Sequence, residues 1–407
     1  MTAERPLVRR ARAALAATPS PAAPASGLPF DTVALVLQGG GALGAYQAGV
    51  CEGLVAAGIE PDWTAGISIG ALNTAIIAGN PPAMRVQRLR EFWESICRPA
   101  AFLPPVAVMR GLIEQAGAQG RQAFGLFEAW RAVVEGQRDF FVPRGIAPWL
   151  GGKQGVQYAS FYDTAQMKGT LERYVDFDRV NQGPMRVSVG AVNVATGNFV
   201  YFDNTSGPAR RAMRAEHFMA SAALPPGFPA IEIDGEFYWD GGLVSNTPLR
   251  HVLEAIPRRD TLAFQVDLWS ARGPLPDNVY DAQERQKDIL YSSRTRAITD
   301  FMADAQRYRR LLREVLEHVP APVRATDPWC RKAEQLACGR QYVVLHLIYQ
   351  GKEWGGMAKD YEFGPQTMRA HWASGLRDIQ GTLAQRAWLE RPPAETEFVT
   401  HDLHRGG

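Results

Sequence analysis

The chain has 407 residues, of which 46% are hydrophobic and 21% charged, so it can bury a large core and is not a wholly disordered protein. Its 44 basic and 42 acidic residues give a formal net charge of +2, which argues against a strong global attraction to nucleic acid or anionic lipid. No apolar run reaches the roughly 18 residues that predict a transmembrane helix. The cysteines match no metal-binding or disulfide pattern, so we expect reduced thiols at Cys51, Cys97, Cys330 and Cys338.

The N-terminus is rich in alanine and proline. A basic cluster before Ala13–Ala17 imitates a signal peptide, but this apolar stretch is short and runs into Thr18-Pro19-Ser20-Pro21. We therefore expect a disordered arm over residues 1–29 and a cytoplasmic protein.

The first ordered elements alternate regularly. Val33–Leu37 is an apolar run without alternation, as in a parallel strand that is covered on both faces. Ala42–Ala57 has helical spacing, Trp63–Ile67 predicts a second short strand, and Ala71–Gly79 predicts a second helix. This order is the opening of an α/β fold, so we expect a three-layer α/β/α domain around a mostly parallel central sheet.

Residues 98–155 have no such regular pattern. Prolines divide this segment into pieces that are rich in phenylalanine and tryptophan. One interpretation is a cap over a binding cleft, and the other is an ordinary helical insertion that packs on its own aromatic side chains. The sequence leaves both interpretations open.

Strand patterns return further along the chain. They predict strands at Arg186–Val194, Asn198–Phe202, Ala230–Ile233, Glu236–Trp239, Leu262–Leu268 and Tyr342–Ile348. The third and fourth flank Asp234-Gly235, a favoured two-residue hairpin turn. Helical patterns run from Asp281 to His318 and over a tail that ends near Glu390. We therefore expect one α/β domain over 30–270, with the possible cap inserted, and a helical extension over 271–407 that packs on it.

A glycine turn, Gly39-Gly40-Gly41-Ala42-Leu43-Gly44, lies between the first strand and the first helix. Dinucleotide-binding turns use the same spacing, because glycines let the backbone approach a pyrophosphate. That motif also requires an acidic residue at the carboxyl end of the second strand, whereas Glu60 and Asp62 lie before it. The sequence therefore argues against dinucleotide binding, and we expect neither an organic cofactor nor a metal.

The second motif is Gly66-Ile67-Ser68-Ile69-Gly70, a GxSxG at a junction of strand and helix. This is the context of a nucleophile elbow, where the serine occupies a strained turn and the glycines leave space around it. The amides at the start of the following helix also favour negative charge. A serine that merely caps a helix is the simpler alternative.

The third motif is Asp240-Gly241-Gly242, which directly follows a predicted strand. Such a loop can present a carboxylate, and an aspartate that is hydrogen-bonded to a serine can act as a general base. An ordinary Asp-Gly turn is the simpler alternative.

These three motifs, in this order, resemble the patatin-like phospholipase family, whose members hydrolyse lipid acyl esters with a Ser–Asp dyad. The likeness extends over about Thr32 to Val266 and includes Ser160–Asp163 and Ala220–Pro225. It implies a patatin-like fold without a cofactor, with Ser68 as the nucleophile and Asp240 as the base. The remainder of the chain resembles the C-terminal extension of some bacterial members.

The resemblance also implies an oxyanion hole formed by the backbone amides of Gly39, Gly40 and Gly41. Five further glycines belong to the family motifs: Gly44, Gly66, Gly70, Gly241 and Gly242. The chain departs from the family at Leu43, where many relatives have arginine or lysine. This chain therefore cannot use that side chain to anchor a phosphate.

A lipid acyl ester is the partner that the resemblance implies, with contact to a membrane or lipid-granule surface as a possible addition. The aromatic stretch Phe102–Trp149 would make that contact if it forms a cap. No nucleic-acid partner is expected, and the sequence does not indicate an oligomeric state.

Two alternatives remain open. An α/β-hydrolase with a Ser-His-Asp triad also carries GxSxG, but its nucleophile lies deeper in the chain than Ser68. His251 or His318 would then supply the base, whereas His217 and His346 fit packed or loop positions. The other alternative is a non-catalytic lipid-binding or regulatory protein of the same fold, against which the intact serine and aspartate argue.

Overall fold

A computed structural model describes residues 27–97, 129–145, 148, 152, 155–205, 212–350 and 358–404 of the chain. At 293–296 it describes the backbone alone. Eleven strands occur in these ranges. They are β1 (Thr32–Leu37), β2 (Trp63–Gly66), β3 (Val142–Pro143), β4 (Tyr162–Asp163), β5 (Arg186–Asn193), β6 (Phe199–Asp203), β7 (Ile231–Ile233), β8 (Glu236–Asp240), β9 (Thr261–Asp267), β10 (Tyr342–Ile348) and β11 (Phe398–Asp402).

The helices of the same ranges surround these strands. They are α1 (Ala45–Ala56), α2 (Ile69–Ala78), α3 (Pro82–Ile96), α4 (Ala165–Tyr174), α5 (Phe177–Gln182), α6 (Ala215–Ser221), α7 (Leu249–Leu253), α8 (Val279–Glu317), α9 (Ala321–Thr326), α10 (Pro328–Leu336) and α11 (Pro365–Ala384). Short 3₁₀ turns occur at Gly41–Gly44, Val156–Tyr158, Gly241–Leu243 and Arg386–Leu389. Residues 129–135 are also helical.

In the central sheet, hydrogen-bonded neighbours follow one another in the order β11-β10-β9-β1-β2-β5-β8-β7, and β6 also pairs with β5. The strands from β11 to β5 are mutually parallel, whereas β6, β7 and β8 run antiparallel to their neighbours. The expected α/β fold with a mostly parallel central sheet is therefore confirmed. No helix within the described ranges is long and apolar enough to cross a membrane.

The side chains of β1 show why the sheet is covered on both faces. Val33, Leu35 and Leu37 belong to one buried cluster, which they share with α1, α2 and α11. Ala34 and Val36, on the other face, belong to a second cluster with α7 and α8. Alternate side chains of a strand point to opposite faces, so an apolar run without alternation requires a layer on each side.

The region after residue 270 contributes strands as well as helices. β10 pairs with β9 and β11 pairs with β10, so the sheet continues across the predicted domain boundary. α11 crosses α1 closely: a Cβ on Gly49 would lie 2.0 Å from the carbonyl oxygen of Trp372, and one on Gly375 would lie 2.0 Å from that of Tyr46. The division of the chain at residue 270 stays a prediction.

Two sequence predictions outside the core have different outcomes. The hairpin of β7 and β8 forms at Asp234-Gly235, and both residues have positive φ (54° and 84°), as a type I′ turn requires. Residues 1–26 of the N-terminal arm and most of the possible cap lie outside the described residues. Of the cap, the described part includes the helical residues 129–135 and the aromatic pair Phe140–Phe141.

β5 aligns the GxSxG motif with the Asp-Gly-Gly motif, which lies far along the chain from it. Its first half pairs with β2, placing Gly66 opposite Val189, and its second half pairs with β8, placing Asp240 opposite Ala191. Because β6 occupies the other edge of β5, β2 and β8 share one edge and lie end to end. The carboxyl ends of β2 and β8 therefore meet.

Candidate active site

Ser68 lies in the sharp turn between β2 and α2. Its φ of 55° and ψ of −124° are strained for a residue with a side chain, and such strain is typical of functional turns. The flanking glycines make the turn possible: a Cβ on Gly66 would lie 2.3 Å from the carbonyl oxygen of Gly70, and one on Gly70 would lie 2.4 Å from that of Leu37. The backbone thus has the geometry of a nucleophile elbow.

Ser221 holds this turn from the end of α6. Its carbonyl oxygen and its Oγ both accept from the Ser68 amide, each at 3.1 Å. The same Oγ donates to the carbonyl oxygen of Gly190 at 2.7 Å. This role of Ser221 was not predictable from the sequence, since a serine that supports a distant turn leaves no local pattern.

Asp240 ends β8 and accepts a hydrogen bond from the Ser68 side chain. Only 1% of its surface is exposed, and its Oδ1 also accepts from the Gly242 amide at 2.7 Å. Burial raises the pKa of Asp240 to about 7, although the hydrogen bonds from Ser68 and Gly242 act to lower it. The carboxyl group can therefore exchange a proton near neutral pH.

The glycine turn is held at its start by side chains from two other segments. The Gly39 carbonyl oxygen accepts from Asn246 Nδ2 at 3.0 Å and from Trp269 Nε1 at 2.9 Å. The Gly39 amide donates to the Asn246 carbonyl oxygen at 3.2 Å. Gln38 fixes the neighbouring backbone, since its Oε1 accepts from the Leu268 amide at 2.7 Å. Of the three predicted oxyanion donors, Gly39 therefore has its amide already engaged.

The end of the glycine turn is held by a segment from far along the chain. The Ala42 amide donates to the carbonyl oxygen of Asp360 at 2.8 Å. Gly41 has a φ of +55°, and a Cβ there would lie 2.0 Å from that carbonyl oxygen, so this position requires glycine. The amides of Gly40 and Gly41 have no acceptor within the described ranges.

A cavity of about 370 Å³ joins these parts. Ser68, Asp240 and the glycines at 39–41 line it together with Asn246. The remaining wall is mainly aromatic and aliphatic, with Leu72, Phe140, Phe141, Tyr162, Phe228, Trp269, Tyr291 and Phe363 among its members. Phe141 makes ring contacts with Phe228 and Tyr162, which closes that wall. The cavity can hold an apolar chain with one polar end at the Ser68–Asp240 pair.

The other motif glycines occupy positions without room for a side chain. A Cβ on Gly44 would lie 2.4 Å from Ile69 Cγ1, and one on Gly241 would lie 2.6 Å from the carbonyl oxygen of Gly190. Leu43 is fully buried in the core and does not line the cavity.

The described ranges include all seven histidines, and none of them lines the cavity. His251 lies instead beside Asp203 and Ser188, its Nε2 3.5 Å from Asp203 Oδ2 and 3.3 Å from Ser188 Oγ. The Nδ1 of His318 lies 2.9 Å from the Glu314 carbonyl oxygen on α8. Where the chain is described, no three His, Cys, Asp or Glu side chains are grouped to hold a metal ion.

Comparison with known proteins gives three findings. A family model described as "Patatin-like phospholipase" matches residues 35–253, more than half of the chain, and one described as "Patatin phospholipase" matches residues 289–395. Among solved structures, the chain is similar to VipD from Legionella pneumophila, with 15% identity over 92% of this chain and 72% of that chain and a TM-score of 0.34. No curated protein matches the chain.

Proposed function

The chain belongs to the patatin-like phospholipase family, and from this premise we propose that it is a serine lipid acyl hydrolase with Ser68 as nucleophile and Asp240 as base. The observation that carries this proposal is the hydrogen bond between the two side chains at the wall of an apolar cavity. Family membership supports lipid hydrolysis in general, and the geometry supports these two residues.

In the first step, Asp240 accepts the hydroxyl proton of Ser68 while Oγ attacks the ester carbonyl carbon. The tetrahedral intermediate collapses with departure of the alcohol, which takes the proton from Asp240. Water then attacks the acyl-serine, Asp240 accepts a proton from that water, and the acid is released with the proton returned to Ser68. No other residue need change its protonation state.

Asp240 suits the role of base because its pKa of about 7 is close to the operating pH. A carboxylate with an ordinary pKa near 4 would be too weak a base to assist a serine efficiently. The burial that raises the pKa also excludes water, so the hydrogen bond to Ser68 has little competition.

The oxyanion of the tetrahedral intermediate would be held by the amides of Gly40 and Gly41. Both glycines line the cavity and lack another acceptor within the described residues, whereas the Gly39 amide is engaged by Asn246. Donors that are fixed before the reaction stabilise the developing charge without reorganisation.

The substrate we propose is an ester with an apolar acyl chain, because the cavity wall is mainly aromatic and aliphatic. Apolar side chains are also exposed beside it: Val133 (47%) and Leu224 (37%) line the cavity, and Trp130 (55%) lies one helical turn from Val133. Such a rim favours contact with a lipid surface.

The test is hydrolysis by the purified full chain of a panel of phospholipids, lysophospholipids, acylglycerols and short p-nitrophenyl esters. A fluorophosphonate probe labels the nucleophile in parallel. We expect turnover of at least one lipid class and labelling that Ser68→Ala abolishes. Labelling that persists in Ser68→Ala, or lipid binding without any turnover or labelling, would contradict the proposal and favour a non-catalytic lipid-binding protein.

A further inference from the structure

The two proposed oxyanion donors lie between two fixed points of the glycine turn. Before them, Asn246 and Trp269 hold Gly39, and after them the Asp360 carbonyl oxygen holds the Ala42 amide. The first fixed point is supplied by residues that follow β8 and β9. The second is supplied by residues 358–363, which lie outside the 35–253 match and reach the turn from more than 300 residues away.

Two lysines tie this 358–363 segment to the first turns of α8. Lys287 Nζ donates to both carboxylate oxygens of Asp360, at 2.8 and 3.0 Å. In the opposite direction, Lys359 Nζ donates to Glu284 at 3.1 Å and to Asp288 at 2.6 Å. All five side chains are largely buried, so water and salt screen these pairs less than surface pairs.

Lys359 also links the segment to the first fixed point. Its Nζ lies 5.3 Å from the centre of the Trp269 ring, whose Nε1 holds the Gly39 carbonyl oxygen. The two lysines are therefore connected to both ends of the glycine turn, through Asp360 to the Ala42 amide and through Trp269 to the Gly39 carbonyl oxygen.

We propose that Lys287 and Lys359 are positioning residues, which seat the 358–363 segment so that Asp360 fixes the glycine turn in its oxyanion-binding geometry. This inference rests on the proposed function. The lysines do not touch the substrate; they act through the backbone carbonyl of Asp360. The C-terminal region would then be part of the catalytic apparatus and not only an added layer.

The physical consequence is a selective loss of transition-state stabilisation. Amides that shift by a fraction of an ångström still leave the apolar cavity able to bind the acyl chain, but they hold the oxyanion less well. We therefore expect kcat to fall while KM changes little.

The experiment compares Lys287→Met/Lys359→Met with wild type on one chromogenic ester and by hydrogen–deuterium exchange. We expect kcat to fall about tenfold to a hundredfold, since misplaced donors approach the effect of losing one, and KM to change less than about threefold. Exchange of the Ala42 amide should become faster. Lys287→Arg/Lys359→Arg, which keeps both charges, should recover part of the kcat.

The matched control is Arg340→Met, which removes the ion pairs of Arg340 with Asp31 and Asp260, away from the cavity. Arg340 lies 3.2 Å from Asp260, a carboxylate only 8% exposed at the amino end of β9. We expect its kcat and its Ala42 exchange to match wild type. If the double lysine variant does not fold, Asp360→Asn tests the same contact with a smaller change, and the same kcat loss is expected.

Wild-type kcat and unchanged Ala42 exchange in the lysine or Asp360 variants would overturn the inference, as would a rise in KM alone. Ester hydrolysis that survives Ser68→Ala would instead contradict the proposed function, and this inference would fall with it. The two failures are therefore distinguishable in one set of assays.

Discussion

Two Ser–Asp pairs lie along β5, and they differ in access to the cavity and in the pKa of the aspartate. Ser188 donates to Asp203 at 2.6 Å, and His251 lies within 3.5 Å of that carboxylate. By composition this is the more complete set, since it has serine, histidine and aspartate. Yet Ser188 is fully buried in an extended strand, and none of the three residues lines the cavity.

The charges around the two aspartates also differ. Burial acts to raise the pKa of Asp203, but hydrogen bonds from His251, Arg186 and Ser188 hold it well below the usual range. Among the described residues Asp240 has no cationic partner, so burial prevails and raises its pKa to about 7. Asp203 therefore stays ionised at neutral pH and links β6 to β5, whereas Asp240 can take up a proton near neutral pH.

The comparison shows that residue types alone do not identify an active site. A nucleophile needs a backbone that presents it to a cavity and a base whose pKa lies near the working pH. Only the Ser68 pair combines both features. We therefore expect substitutions at the Ser68 pair to affect turnover and substitutions at the Ser188 pair to affect stability.

The largest expected effect is on turnover. Ser68→Ala and Asp240→Asn should each lower kcat by roughly 10³-fold or more, and the double variant should be little worse than either, because the two residues act as one unit. Ser188→Ala and Asp203→Asn are the matched controls and should retain kcat within about tenfold. The measurement is kcat on one chromogenic ester.

A histidine base is tested in the same assay. Each of the seven His→Ala variants should keep kcat within about tenfold, well short of the loss expected for a general base. His251→Ala is the decisive case, because His251 is the histidine that lies beside a serine and an aspartate. Loss of turnover in His251→Ala, together with retained turnover in Asp240→Asn, would reverse the roles given to the two pairs.

The next largest effect concerns the glycine turn. Gly40→Ala should lower kcat by about 10²-fold, the scale of losing one oxyanion donor. The added Cβ would lie 2.8 Å from Leu268 Cδ1 and 3.1 Å from Trp269 Nε1, so the turn must shift. Gly169→Ala on α4, where a Cβ meets nothing within 4 Å, is the control. Normal turnover by a folded Gly40→Ala would show that the turn has a purely structural role.

The change of kcat/KM with pH should be smaller than the effects of these substitutions. A base must be unprotonated, so kcat/KM should rise with pH and level off above about 7, the pKa of Asp240. Asp267 is also fully buried, and its pKa is raised to about 7, but it does not line the cavity. Asp267→Asn should therefore keep the profile. If Asp267→Asn abolished the pH profile, the titrating group would be Asp267 and not Asp240.

The smallest effects are on stability, and they should have opposite signs. The raised pKa of Asp240 means that the folded protein loses stability as pH rises from about 4 to about 7. Asp240→Asn should therefore raise Tm at pH 8, with the difference vanishing near pH 4. The low pKa of Asp203 means that its contribution is present above about pH 4 and is lost in acid.

Asp203→Asn should accordingly lower the free energy of unfolding at pH 7 by about 2 kcal/mol, the scale of a hydrogen bond to a charged group. Thermal unfolding of both variants at pH 4 and pH 8 provides the measurement. A stabilising Asp203→Asn together with a destabilising Asp240→Asn would contradict the division between the two pairs.

Much of the fold was predictable because its strands have local signatures. β1, β2, β5 and β9 are short apolar runs, and the β7–β8 hairpin has the Asp-Gly turn that its twist requires. β11 was missed, because all five of its residues are only half-buried and its partner β10 lies about 50 residues earlier. A half-buried edge strand has no apolar run by which to recognise it.

Some residues of the candidate site were likewise predictable from the sequence, and others were not. Ser68, Asp240 and the glycine turn could be proposed from sequence, because a strained elbow and a close backbone approach restrict the residue types at adjacent positions. Ser221, Asn246, Trp269 and Asp360 could not, although each holds one of those motifs in place. They act through hydrogen bonds to backbone atoms, which many residue types can make.

By itself, then, the sequence determined the parallel sheet, the elbow at Ser68 and the candidate base, because apolar runs and glycine spacings act over a few neighbouring residues. Tertiary structure alone decided which aspartate meets which serine, since β5 sets β2 and β8 end to end. It also decided the pKa of about 7 at Asp240, which depends on burial by distant segments. The seating of Asp360 on the glycine turn is a third such outcome, because only folding brings residues 42 and 360 together.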